Sequence, residues 1–332
     1  MTEFELIAKL TEGAPREARD LAHGVGDDCA VIAGPSGRDW LVTADALIEG
    51  VHFRREWTDL ASLGKKAMAA NLSDIASMGG VPRFYIVSLA VPDDLGAEGA
   101  LQLYAGMRER ARASGALLIG GDTSASRSGL LISIAMLGEI ESGRAILRSG
   151  ARPGDAVYVT GTSGSAALGL ACLESGRRDD ACALFVRRHL DPEPRLAAGE
   201  ALMKCGMVSA MIDSSDGLMA DLSHIAEASG VGFEIEDWLV PREPRFDGLS
   251  AELGLNPAEL VLSGGEDYEL IFTVRSEVAG EFDREIAPSL PIPVSRIGKI
   301  VADRESREVR SRDGKRIEIA MRGFDHFASR GK

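Results

Sequence analysis

A two-domain protein of mixed α/β (α+β) structure is the fold the sequence predicts, and three observations predict it. The 332 residues suffice for two ordinary domains, each burying its own core without a disulfide or metal staple. Short apolar runs of strand length alternate with stretches of helical spacing along the whole chain. Residues 148–155, RSGARPGD, break every period and divide the chain into an N-terminal part, 1–147, and a C-terminal part, 148–332.

The elements follow in order. Helical spacing at Phe4, Ile7 and Leu10 opens the chain. Apolar runs at 29–33 and 40–43 flank the turn-rich GPSGRD and read as a β-hairpin. Thr58 or Asp59 is a plausible N-cap for a helix whose apolar positions recur at Leu60, Leu63, Ala67 and Ala70, on to Ile75, until Gly79 and Gly80 stop it. Asp74 falls in its last turns, and the adjacent Lys65 and Lys66 read as a solvated helix face. A strand at 84–91, a helix at 97–113 and strands at 116–119 and 130–140 complete the first part. The second restarts with a strand at 157–160 and a glycine-punctuated helix. Helices near 193–204 and 217–228 then interleave with strands at 208–212, 233–235 and 269–274, and Arg312-Asp313-Gly314-Lys315 reads as a late hairpin turn.

Composition narrows the function. A formal net charge of −14 disfavours a nucleic-acid partner, because phosphate backbones are held by surplus Lys and Arg. The longest apolar stretch, 130–137, falls far short of the roughly 20 residues a membrane helix needs. The start, with Glu3 and Glu5, lacks the basic and apolar character of an export signal, and the four scattered cysteines suit a reducing compartment. A cytoplasmic protein is expected.

No G-x-x-x-x-G-K-[S/T] motif occurs, and the clusters GVGDDC and GTSGSAALG fail both the phosphate-loop and the dinucleotide spacings. What recurs is an acidic residue beside glycine or at the end of an apolar run: Asp27-Asp28, Asp45, Asp74, Gly120-Gly121-Asp122, Asp213 with Asp216-Gly217, and Gly264-Gly265-Glu266-Asp267. Each alone has a turn or helix-cap explanation. Together, hard carboxylate oxygens without His or Cys partners match Mg²⁺. Such a cluster repels ATP unless metal ions stand between, which points to a multi-metal phosphate clamp.

GDDCAV at 26–31, VTADALIEGVHF at 42–53, NLSDIASMGG at 71–80, GGDT at 120–123, LRSGARPGD at 147–155, IDSSDGL at 212–218, SGGEDYEL at 263–270 and GFDHF at 323–327 together carry a resemblance. In order and spacing the set resembles the thiamine-monophosphate kinases. The resemblance implies the aminoimidazole-ribonucleotide synthetase-like fold: an N-terminal ATP- and Mg²⁺-binding domain that dimerises through its sheet, with segments 29–33 and 40–43 at the pairing edge, and a C-terminal α/β domain that completes the site. It further implies Mg²⁺ ligands at Asp28, Thr43, Asp45, Asp74, Asp122, Asp213 and Asp216, and ATP contacts at Tyr104, Gly121, Arg148 and Ser215. His52, Glu266 and Phe324 would line the thiamine side. One departure is Ala44, where the family usually places Thr or Ser.

The implied acceptor is a phosphate oxygen, already ionised near neutral pH because a monoester's second pKa is about 6, so no general base is required. Catalysis then rests on positioning and metal neutralisation in an in-line transfer. The nearest rivals are other ATP-using members of the fold family: selenophosphate synthetases, hydrogenase maturation factors and aminoimidazole ribonucleotide synthetases; against the first two, this chain has no Cys before Cys29 and ends HFASRGK. A non-catalytic nucleotide-binding dimer is the rival of another class, and lost metal aspartates would be its sign. None is lost.

Overall fold

The computed structural model describes residues 3–318. The first half comprises α1 (Glu3–Leu10), β1 (Leu21–His23), β2 (Ala30–Ala33), β3 (Arg38–Ile48), α2 (Leu60–Ser77), β4 (Val81–Pro92), α3 (Gly96–Ser114), β5 (Leu117–Ser126) and β6 (Leu131–Glu141). The second comprises β7 (Ala156–Thr160), α4 (Ser165–Glu174), α5 (Asp180–Leu190), α6 (Leu196–Cys205), β8 (Val208–Asp213), α7 (Leu218–Ser229), β9 (Gly232–Glu236), α8 (Phe246–Glu252), α9 (Pro257–Ser263), β10 (Leu270–Val274), β11 (Val294–Val301) and β12 (Arg307–Arg310). Each half builds one six-stranded sheet, in the orders β1-β2-β3-β6-β4-β5 and β12-β9-β11-β7-β10-β8.

α2 starts where a cap permits: the Asp59 carboxylate accepts from the Ser62 backbone N–H at 2.9 Å and from the Ser62 hydroxyl at 2.7 Å. Its buried face packs Leu63, Leu72 and Ile75 against the sheet residues Leu41, Val87, Ile134 and Met136. β6 alternates buried and half-buried positions, as a sheet covered on one face does. In the second sheet β7 and β10 are buried at every position, with one core against α4, α7 and α9 and another, around Tyr158, Phe272 and Phe282, on the opposite face. Ala76 of α2 belongs to this last cluster, so α2 packs into both halves. No described helix is long and apolar enough to cross a membrane.

The expected hairpin forms, with Ala30 opposite Val42 and Ala33 opposite Asp39, but it does not lie at a sheet edge. β6 returns along the full length of β3, from Glu141 opposite Arg38 to Leu131 opposite Ile48, and makes β3 an interior strand. The open edges are β1 and β5. β5 is also longer than its apolar run suggests and carries Gly120, Gly121 and Asp122 inside the strand. β11, the second sheet's link between β7 and β9, is absent from the sequence-level expectations, as are β12, α5, α8 and α9. The late turn is present, the Ser311 N–H donating to Lys315 O at 2.9 Å, but β12 pairs in parallel with β9. α1 forms, yet Ile7 and Leu10 on its apolar stripe are exposed.

Candidate active site

A cavity of about 530 Å³ lies between the halves. Asp45, His52, Asp74, Asp213, Ser215, Asp216 and Glu266 all line it. They arrive from β3 and its following loop, from α2, from the β8–α7 turn and from the loop before β10, which is what a chain folded as two facing halves can bring together.

At one end carboxylates crowd. Thr43 donates its hydroxyl to Asp74 Oδ2, and Ser73 donates to Asp213 Oδ2 at 2.6 Å. Arg148 grips Asp28 Oδ1 through Nε at 2.9 Å and through Nη2, while its backbone N–H donates to Asp27 Oδ2 at 3.0 Å. Burial first, then the Asp28 charge, pushes the Asp45 carboxyl up to about 6 and that of Asp213 to about 8. Burial together with Asp45, Asp213 and Asp28 drives Asp74 well above the carboxylate range. Asp27 rises to about 7 for the same two reasons, burial and Asp28. Buried Asp221, which no motif singled out, accepts from the Gly217 N–H at 3.0 Å and steadies the turn that presents Asp216.

These groups fit a hard cation. Asp28 Oδ2 is buried with no hydrogen-bond partner among the described residues, and the aspartates around it offer oxygen, while burial and Asp74 keep the neighbouring Cys29 thiol protonated. Among the described residues no three acidic, His or Cys groups already converge as a finished cage. Mg²⁺ suits that arrangement, because it keeps water and phosphate oxygens in its shell and takes only one or two carboxylates. Strand alternation turns Ala44 to the face opposite Thr43 and Asp45.

Three expected residues lie elsewhere. Asp45, Ile134, Val87 and Gly121 form one row across the sheet, so Gly121 and Asp122 are three strands, or about 14 Å, from the β3 aspartate. Gly121 has φ +153° and a Cβ there would sit 2.0 Å from Val87 O, which no other residue tolerates. Tyr104 lines a second cavity beside Thr123, with burial raising its phenol. Phe324 lies outside the described residues.

At the other end of the cavity charges are matched. Lys66, expected to be solvated, is 2% exposed and places Nζ 3.0 Å from both Glu266 oxygens. The helical spacing held the signal: Lys66 follows Leu63 by three positions and precedes Ala70 by four, on the core-facing stripe. Lys65, on the other face, pairs with Glu109 as a surface lysine does. His189, missed because α5 was missed, lines the cavity and is buried, which together with Lys66 lowers its imidazole to about 4. The other acids of the Gly-Gly-Glu-Asp segment are structural. Asp267 accepts from the Gly164 and Ala166 N–H groups and so occupies the start of α4, and Glu269 is held by Arg195 and Thr160. His52 Nδ1 accepts from the Ile48 N–H at 3.0 Å, folding its loop back toward β3.

Comparisons with known proteins identify the family. The family models for AIR synthase related protein match residues 26–140 with the N-terminal domain and 152–310 with the C-terminal domain. The thiamine-monophosphate kinase of Bacillus subtilis is 37% identical over 98% of this chain and 100% of its own, and that of Escherichia coli (strain K12) 38% identical over 98% of each. The structure of AaThiL complexed with AMPPCP and TMP superposes with a TM-score of 0.84 at 32% identity, covering 98% of this chain and 97% of that one. Hydrogenase maturation protein HypE in complex with ATP, at 20% identity and a TM-score of 0.69, shares the fold alone. The chain therefore belongs to the thiamine-monophosphate kinase family of the AIR synthase related proteins.

Proposed function

We propose that the protein transfers the γ-phosphate of ATP to thiamine monophosphate, giving thiamine diphosphate and ADP, with several Mg²⁺ ions at the carboxylate end of the cavity. The observation that carries this reading is the crowding of Asp45, Asp74 and Asp213 around buried Asp28, a charge arrangement that favours bound cations. The relative solved with both AMPPCP and TMP supports the pairing of donor and acceptor.

In this reading Asp28, Thr43, Asp45, Asp74, Asp122, Asp213 and Asp216 supply the metal-facing oxygens, and Tyr104, Gly121, Arg148 and Ser215 hold ATP. His52, Glu266 and Phe324 line the acceptor side. Bound Mg²⁺ neutralises the phosphate oxygens on which charge develops during transfer. Arg148 holds Asp28 in place and carries positive charge toward the donor phosphates. The Ser215 carbonyl accepts from the Glu266 N–H at 2.8 Å, which joins the donor and acceptor sides through one backbone contact. No side chain is needed to remove a proton, since the acceptor phosphate is already ionised.

Gly121, Asp122 and Tyr104 join the site in a homodimer whose interface runs along β5. Leu117, Leu118 and Ile119 stand exposed on that edge at 61, 42 and 58%, an apolar strand that asks for a cover. Light scattering should report a dimer at micromolar concentration, and a stable monomer would remove this part of the reading. Labour then divides at the 147/148 boundary, the first part binding ATP and Mg²⁺ and dimerising and the second completing the site. The four cysteines are free, which suits a cytoplasmic enzyme.

The deciding experiment incubates purified protein with ATP, Mg²⁺ and either thiamine monophosphate or free thiamine and separates the products by ion exchange. Thiamine diphosphate should form from the monophosphate and free thiamine should stay untouched, because it brings no anionic oxygens for a metal-filled carboxylate cluster to seat. ADP appearing without thiamine diphosphate would overturn the reading.

A further inference from the structure

Glu266 is held at the acceptor end by an arrangement that a merely structural carboxylate does not need. Its backbone sits at φ +66°, a left-handed conformation that side-chain-bearing residues rarely adopt. Hydrogen bonds on either side impose it: the Glu266 N–H donates to Ser215 O and the Tyr268 N–H to Ser214 O, each at 2.8 Å. The strained turn points the carboxylate at Lys66, which reaches it from α2 of the other half, 200 positions away in sequence. His189 flanks it from α5, with Nδ1 3.2 Å from Oε2, and that buried nitrogen finds no other polar partner among the described residues.

A buried lysine matched to a single carboxylate is neutral as a pair, yet Glu266 keeps a quarter of its side chain open to the cavity while Lys66 is sealed off. The cavity therefore sees the negative member and not the positive one. Lys66 lies eight residues before Asp74 on the same helix, about 12 Å along the axis, so α2 fixes the distance between this carboxylate and the metal-facing cluster. We propose that Lys66 and His189 are positioning residues that hold the Glu266 carboxylate at the acceptor end of the cavity, where it serves as counter-charge to a cationic heterocycle and so selects the acceptor. The proposal rests on the kinase reading above, whose acceptor carries a thiazolium cation.

The test compares two acceptors, thiamine monophosphate and its neutral deaza analogue with thiophene in place of the thiazolium. Wild-type turnover of thiamine monophosphate is measured first; its absence defeats the kinase reading and leaves the positioning question to direct binding of the two acceptors by calorimetry. In Glu266→Gln, which keeps shape and loses charge, KM for thiamine monophosphate should rise about tenfold or more, the scale of a lost charged partner, with KM for the analogue and for ATP little changed. Lys66→Met should reproduce that split at near-wild-type kcat, and Lys66→Arg should restore most of it. His189→Asn should give a smaller rise of the same kind. Equal weakening of both acceptors in E266Q, or a loss confined to kcat in K66M, overturns the proposal. Should K66M fail to fold, the E266Q comparison alone decides.

Discussion

The two ends of the cavity treat negative charge in opposite ways. At the β3 end Asp28 and Asp213 are buried with Asp45 and Asp74 half-buried beside them, and desolvation with mutual repulsion raises the proton affinity of Asp45, Asp74 and Asp213. At the Gly-Gly-Glu-Asp end a single carboxylate, Glu266, is matched by Lys66 and held below the usual range against the pull of burial. The first end is unfinished without added cations, whereas the second carries its own. In the proposed reading a metal-bound polyphosphate sits beside an organic cation, which calls for both kinds of environment, and the cavity separates them along one helix.

The largest expected effect comes from breaking the unfinished end. Asp45→Asn or Asp74→Asn should lower kcat about a hundredfold or more at saturating substrates, since bound metal supplies several kcal/mol of transition-state stabilisation. Without Mg²⁺ the same variants should melt at or above the wild-type temperature, because one of the repelling charges is gone. Activity retained at sub-millimolar Mg²⁺ would take that aspartate out of the metal site.

Next in size is the pH dependence of metal-free stability, where the two ends have opposite sign. Carboxyls raised in the fold, Asp45 to about 6, Asp27 to about 7 and Asp213 to about 8, bind protons more tightly folded than unfolded. Their contribution is fully present below the unfolded value of 3.8 and is lost as pH rises through about 6 to 8. Glu266, lowered, contributes above its unfolded value of 4.5 and loses that contribution as pH falls through its folded one. Melting without Mg²⁺ should therefore decline by several degrees from about pH 5 to pH 8, and saturating Mg²⁺ should flatten the decline. Calorimetric scans with and without the metal that run parallel across this range would contradict it.

The smallest effect should come from Phe324→Ala, a few-fold rise in KM for thiamine monophosphate with ATP binding spared, the roughly 1 kcal/mol of an aromatic contact. Steady-state kinetics with each substrate varied in turn would show it, and a matched loss for ATP would argue against an acceptor-side role.

Local signals made much of this legible in sequence. The Asp59 cap and the alanine-rich stripe placed α2 and put Asp74 in its last turns, and the paired runs around GPSGRD gave the β2–β3 hairpin. Long-range facts did not show. Nothing local tells that β6 flanks β3 and turns the expected edge strand into an interior one, nor that Lys66 meets a carboxylate 200 positions on. β11 escaped because Gly298 interrupts an already polar run, VSRIGKIV, at the bulge where it crosses β7. Of the acids around Gly264 and Gly265, sequence could not say that Asp267 caps a helix and Glu269 pairs with Arg195 while only Glu266 reaches the cavity.

The contact between α2 and α6 ties the two halves together. A Cβ on Gly199 would sit 2.0 Å from Ala76 O, and one on Gly79 would sit 2.5 Å from Met203 Cβ, so the two helices meet almost backbone to backbone. Contacts that close leave no room for water between the two backbones. Ala76 of α2 lies in the core of the half that contains α6, so that half completes its packing with a helix from the other, and a side chain added at Gly199 should be felt in both.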